Sequence, residues 1–272
     1  MVADIKPYRQ AHLFYSLSII IPWVFWGVAA YLSHEPSGRF LALSGAISLL
    51  GLLAPLAIAL ILILPNDYLR KDFLGRIFNL NSVPSEYLLL AVFLMPVSIL
   101  IAQSISLLFG FSADQFQFRG GYTFSSGIFP VWFLLILAPT IEELAWHSYG
   151  TDCLRSRFNL LKTSLLFALF WGIWHLPLSF IKDYYHSNLI ESGIIYSVNF
   201  LVSLFPFVII MNWLYYNTNR NILVSIIFHI SAGYFNEIFA TDPMSKVIQT
   251  GLLILLSIYL IKTDNTFLLN TK

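Results

Sequence analysis

Long apolar stretches alternate with short polar ones along this chain. Eight of the apolar runs are long enough to cross a bilayer, near 11–33, 40–64, 86–110, 127–147, 163–181, 193–216, 221–240 and 245–261. Roughly 20 apolar residues span the hydrocarbon as a helix, and a lone segment in lipid satisfies its own backbone only in that form. The pattern predicts an all-α, polytopic membrane protein with about eight transmembrane helices. No long repeat, low-complexity tract or linker divides the chain, so residues 1–272 are expected to form a single transmembrane domain. The first run, His12 to Ser33, is too long for the core of a signal peptide and lacks a small-residue cleavage pattern, so it is expected to be retained.

Eleven of the fifteen Lys and Arg residues fall on one side of this arrangement: Lys6, Arg9, Arg70, Lys71, Arg76, Arg155, Arg157, Lys162, Arg220, Lys262 and Lys272. By the positive-inside rule a multi-pass cell-membrane protein with both termini cytoplasmic is expected. Two loops carry weaker patterns. In Gln115 to Phe124 polar and aromatic residues alternate around Gly120-Gly121, which reads either as a hairpin or as an irregular loop. In Pro65 to Glu86, Leu69, Phe73, Leu74, Ile77 and Phe78 form an amphipathic segment suited to the membrane interface.

The chemistry is concentrated in the polar residues inside the spans. Glu142 and Glu143 end one apolar run, with His147 one helical turn beyond the second. His175 lies in Phe170-Trp-Gly-Ile-Trp-His-Leu-Pro177 and His229 in Ile226-Ile-Phe-His-Ile-Ser-Ala-Gly233. An ionisable side chain in a membrane helix is costly enough to mark a site unless it is a buried structural pair. A carboxylate can hold a water, one imidazole can share its proton and a second can donate to an oxyanion. Pro139 and Pro177 sit within three residues of this group and, with Pro206, free the carbonyls of Leu135, Ile173 and Val202, which predicts a hydrated cavity. Counted inward at 1.5 Å per residue, His229 lies about 12 Å deep, His175 about 20 Å and Glu142 about 8 Å. The three share a level if the fourth helix enters nearer Pro130 and the fifth begins about one turn after Lys162.

Glu-Glu-Leu-Ala-Trp-His at 142–147 is similar to a Glu-Glu-x-x-x-Arg motif, Trp171-Gly-Ile-Trp-His175 to Phe-x-x-x-His, and His229 to the first residue of His-x-x-x-Asn. In order, spacing and placement these residues resemble the CPBP family of intramembrane proteins (CAAX proteases and bacteriocin-processing proteins, also called Abi), which includes the type II CAAX prenyl endopeptidases. The resemblance is most specific from Pro139 to Asn236. It implies an eight-helix membrane fold and an endopeptidase in which Glu142 activates a water, His175 helps to hold it, His229 stabilises the oxyanion and Glu143 supports the site. No cofactor and no metal is implied, although two Glu and two His make a zinc site chemically possible. The chain departs from the motifs at His147, Trp171 and Gly233; Asn236, seven residues after His229, is a candidate replacement for the missing Asn. Arginine stays charged where histidine titrates, so His147 predicts activity that falls as pH rises.

Composition narrows the partners. The chain is 58% hydrophobic and 11% charged with a net charge of +1, which offers no basic surface to nucleic acid. Cys153 is the only cysteine, so there is no intramolecular disulfide. The expected partners are the lipid bilayer and a peptide or membrane-protein substrate. The alternatives are a non-catalytic scaffold or bacteriocin-immunity protein of the same fold, favoured by His147 and Gly233, and a proton-coupled carrier.

Overall fold

A computed structural model describes residues 5–77, 79, 83–125 and 127–270. Among these residues there is no strand, and the chain runs through helices α1 (Ala11–Ser33), α2 (Leu41–Ile63), α3 (Asp67–Ile77), α4 (Ser85–Leu107), α5 (Val131–Ala145), α6 (Thr151–Arg155), α7 (Leu160–His175), α8 (Tyr185–Ser192), α9 (Ile194–Asn217), α10 (Ile222–Ile238), α11 (Pro243–Thr263) and α12 (Asn265–Leu269). A π-helical turn, Trp146–Gly150, joins α5 to α6, and a 3-10 turn, Leu176–Phe180, extends α7. Among the described residues six helices are long and apolar enough to cross a membrane, and α10 is apolar but shorter. Large apolar side chains such as Ile20, Val24, Ile61, Leu255 and Tyr259 are exposed on the outside of the bundle. Water would not tolerate so broad an apolar surface; lipid does. The protein is an all-α polytopic membrane protein.

Helix boundaries follow from local chemistry. Pro130 precedes α5 and sets its entry, where the depth argument placed it. The fifth apolar run behaves otherwise: α7 begins at Leu160, before Lys162, because the Asn159 side chain accepts a hydrogen bond from the Lys162 N–H at 2.8 Å and caps the helix there. Asn221 caps α10 in the same way, and Asp242 caps α11 with Pro243 in its first turn. The hairpin expectation for Gln115 to Phe124 fails. Residues 113–116 form a 3-10 turn, and Gln117 to Arg119 pairs with the end of α10 through Arg119 N to Ile238 O (2.8 Å) and Ala240 N to Gln117 O (2.9 Å). The backbone partner that α10 supplies displaces the local one.

Small residues set the closest helix approaches. In the α1–α2 pair, the Ser44 hydroxyl donates to Ala29 O at 2.8 Å and Trp26 Nε1 to Ser48 O at 3.0 Å. A Cβ at Gly51 would stand 2.5 Å from Trp26 Nε1, so only glycine fits beneath that indole. Beyond this pair, α2 packs on α5, α5 on α10, α10 on α4, α4 on α11, α11 on α9 and α9 on α7. A polar seam binds α11 to α4 and to the 3-10 turn that follows it, with Gln249 Nε2 donating to Ser98 Oγ and Ser245 Oγ to Gln115 Oε1, at 2.8 and 2.6 Å. Such contacts suit helices that have no hydrophobic drive to associate in lipid.

Segment 65–86 turns part of its apolar face to the bundle. Leu69, Phe73 and Arg76 of α3 are buried against the bundle, whereas Leu74 is exposed; Phe78 lies outside the described residues. An ion network draws α3 inward. Arg220 meets Asp152 at 2.5 Å and Asp72 at 3.0 Å, and Arg76 meets Asp72 at 2.9 Å and Asp152 at 3.4 Å. Burial by itself would raise the Asp152 carboxyl, but Arg220 and Arg76 hold it below the usual carboxylate range. Asp152→Asn leaves two buried arginines to share the one carboxylate of Asp72 and is expected to cost about 3–5 kcal/mol, read as a lower midpoint of thermal unfolding in detergent. The contribution of Asp152 is fully present above the ordinary carboxylate range and is lost as pH falls through its depressed value. The melting points of wild type and variant should therefore converge in acid.

Candidate active site

Pro139, inside α5, leaves one backbone carbonyl without its helical partner, and three residues later the helix presents two carboxylates in different directions. Glu142 faces a cavity of about 520 Å³, whose wall also includes Trp171, His175, Phe207, His229 and Gly233. Glu143 is fully buried behind that wall. The predicted site residues Glu142, His175 and His229 thus meet on one cavity, brought there by α5, α7 and α10, while Glu143 reaches the site through its bond to His229.

Hydrogen bonds fix much of the protonation pattern. His175 Nδ1 lies 2.6 Å from the Trp171 carbonyl, which only accepts, so Nδ1 carries the proton and the neutral ring keeps a lone pair on Nε2. His229 Nδ1 stands 2.7 Å from Glu143 Oε1 and donates to it. Glu143 Oε2 is in contact with His147 Nδ1. On the far side of His147, the Ser164 hydroxyl donates to Leu160 O and accepts from Asn212 Nδ2, at 2.9 Å in each case. That orients the Asn212 amide, so Asn212 Oδ1 must accept from His147 Nε2 at 3.0 Å. With Glu143 ionised, both nitrogens of His147 carry hydrogen and the ring is an imidazolium. It occupies the position of the motif arginine and supplies the same charge to Glu143.

The π-helical turn that carries His147 is held from outside the site. Arg76 Nη1 and the Tyr215 hydroxyl donate to His147 O at 3.1 and 2.7 Å, and Arg76 Nη2 donates to Ser148 O at 3.1 Å. These bonds hold the carbonyls of the irregular turn, and such turns recur at functional sites. Gly150 completes the turn. A Cβ there would lie 2.6 Å from the ring of Phe14 on α1.

The two other departures from the motifs have different structural consequences. Trp171 Nε1 donates to Glu142 Oε2 at 2.9 Å, a bond that phenylalanine cannot make. At Gly233 the space is open: a Cβ built there meets only Leu135 Cδ2, at 3.7 Å. Asn236 lines the cavity, but its Nδ2 donates to the Tyr185 hydroxyl at 3.1 Å, so it is tied to α8. Sequence reasoning missed Asn212, Ser164 and His186. Asn212 had a signal, being an amide in the middle of an apolar run; Ser164 and His186 had none.

The mouth of the cavity carries Arg119, Thr123, Asn188, Thr241 and Lys246, from the loops and helix ends opposite both termini. A smaller apolar annex of about 100 Å³, reaching Trp26, Ser48 and Leu52, shares Glu142, His175, Tyr184 and His186 with it. Residues 124–235, which contain all four predicted site residues, match the family described as Type II CAAX prenyl endopeptidase Rce1-like. The CAAX prenyl protease 2 of Methanococcus maripaludis is 38% identical over 263 residues, covering 96% of this chain and 96% of that protein. A paired-glutamate membrane site and that degree of identity over nearly the whole length lead to one assignment: the chain belongs to the CPBP family, within its type II CAAX prenyl endopeptidase Rce1-like group, and is an intramembrane protease.

Proposed function

We propose that the chain cleaves a peptide bond near the C-terminus of a prenylated CAAX peptide by means of a water activated by Glu142. The observation that carries this reading is the convergence of Glu142, His175 and His229 on one cavity, with Glu143 bonded behind His229. Glu142 takes a proton from the water as its oxygen bonds to the scissile carbonyl carbon, and His175 Nε2 accepts the water's other hydrogen to aim it. The carbonyl oxygen becomes an oxyanion beside His229. To donate from Nε2, His229 must be an imidazolium, because its Nδ1–H is already given to Glu143, and that carboxylate stabilises the cation. Collapse of the intermediate breaks the C–N bond and Glu142 returns its proton to the leaving nitrogen; the new carboxylic acid then gives its hydroxyl proton to the amine, and a carboxylate and an ammonium leave. Positioned proton transfer of this kind accounts for about 10²–10⁴ in rate.

The name of the Methanococcus maripaludis relative supports the choice of substrate, and the apolar annex beside Glu142 suits a lipid-modified chain. In proteoliposomes, the full chain should release a C-terminal fragment from a prenylated peptide ending in Cys-aliphatic-aliphatic-X, resolved by mass spectrometry. Release of the same fragment by the Glu142→Ala protein would refute the assignment of the base. An intact peptide after long incubation with wild type would refute the substrate.

A further inference from the structure

Apart from the residues already assigned, one half-buried histidine in the cavity wall stands unused. His186 lies in the first turn of α8, and both of its ring nitrogens are shut away from solvent with no hydrogen-bond partner among the described residues. Burying an imidazole in that way leaves its desolvation uncompensated. Its surroundings are rings: His175 at 5.1 Å between centroids with planes 31° apart, Phe200 at 4.8 Å, Tyr185 at 5.4 Å and Tyr184 at 5.8 Å. An apolar side chain would fill such a place without that cost, so packing does not account for a histidine here.

Position supplies the reason. His186 borders both the main cavity and the apolar annex, and Glu142 and His175 border both as well. A chain threaded from one compartment to the other passes Glu142 and His186 together. A neutral imidazole offers one N–H and one lone pair, the complement of the C=O and N–H of a peptide group. We infer that His186 is a substrate-contacting residue of the protease, a third imidazole of the site whose ring turns toward the cavity when substrate enters and hydrogen-bonds the peptide backbone at the junction of the two compartments. The inference rests on the reading of this cavity as the peptide site.

The test uses the full chain in detergent or proteoliposomes with a fluorescent prenylated peptide ending in Cys-aliphatic-aliphatic-X. Three quantities are measured: cleavage as kcat and KM, peptide binding to the Glu142→Gln protein, and thermal unfolding. His186→Leu should leave Tm unchanged or higher, because an unpaired buried polar group is gone. It should weaken binding and kcat/KM about tenfold, the size of one lost hydrogen bond. His186→Gln, which keeps a donor and an acceptor, should recover most of that loss. Leucine at 186 with unchanged kcat, KM and binding would overturn the inference, as would a Tm that falls in step with activity in both variants. Should wild type bind the peptide without cleaving it, the proposed reaction fails, and binding with and without His186→Leu still decides the contact. No binding with His186 in place overturns both.

Discussion

Glu142→Gln is expected to lower kcat by about 10²–10⁴-fold while KM and the unfolding temperature stay close to wild type. Glutamine has nearly the shape of glutamate, and its amide oxygen can still accept from Trp171 Nε1, the partner that now stands 2.9 Å from Glu142 Oε2. What the substitution removes is the capacity to take a proton from water and return it. Glu143 cannot take over, because it lies behind the cavity wall with its two oxygens bonded to His229 and His147. The measurement is steady-state cleavage of a prenylated peptide beside a melting curve of the same preparation. A variant that keeps more than a tenth of wild-type kcat would move the base elsewhere.

Glu143→Gln should act through a different loss and change both quantities. The carboxylate is fully buried and is the sole counter-charge that touches His147 among the described residues. His147 is also committed to Asn212 through Nε2, so it cannot turn away to find another acceptor. Removing one partner of a buried pair typically costs about 3–5 kcal/mol, since the remaining charge has no solvent to return to. The melting point in detergent should fall accordingly. kcat should fall with it even at temperatures where the variant is folded, because His229 loses the group that orients Nδ1. A normal Tm with reduced kcat would show that Glu143 only positions His229, and that His147 draws its stabilisation from Asn212 and the π-helical turn.

The parts of this site that were legible in the sequence were those where a charge interrupts an apolar run. Glu142, Glu143, His175 and His229 stand out because lipid gives them no partner, and their spacing supplied the family resemblance. The all-α membrane class was legible from the apolar runs themselves, of which six form helices long enough to span among the described residues. Contacts made by side chains that look ordinary in sequence were not. Trp171 reads as one aromatic in place of another in the Phe-x-x-x-His motif, and only the approach of α7 to α5 shows that its N–H is aimed at Glu142. His147 reads as the loss of a cation. Its charge depends on which way an amide on α9 points, and a hydroxyl on α7 decides that. The start of α7 was misplaced because a single capping bond from Asn159 outweighed the hydrophobic profile around Lys162. Segment 65–86 has the composition of an interfacial helix. Two arginines bonded to Asp72 and Asp152 turn part of its apolar face inward.

The one cysteine has a practical consequence. Cys153 is wholly enclosed, and burial, with the nearby Asp152 charge, outweighs the Tyr149 hydrogen bond and pushes its thiol up to about 12. Thiolate is the species that reacts with alkylating reagents, so the folded native chain is expected to be silent to maleimides. A cysteine placed at any exposed position is then the single reporter in an otherwise unmodified protein. Introduced at Gly121, on the side of the cavity mouth, and separately at Arg9, near the amino terminus, it would let a membrane-impermeant maleimide added to intact cells tell from which compartment the peptide is threaded.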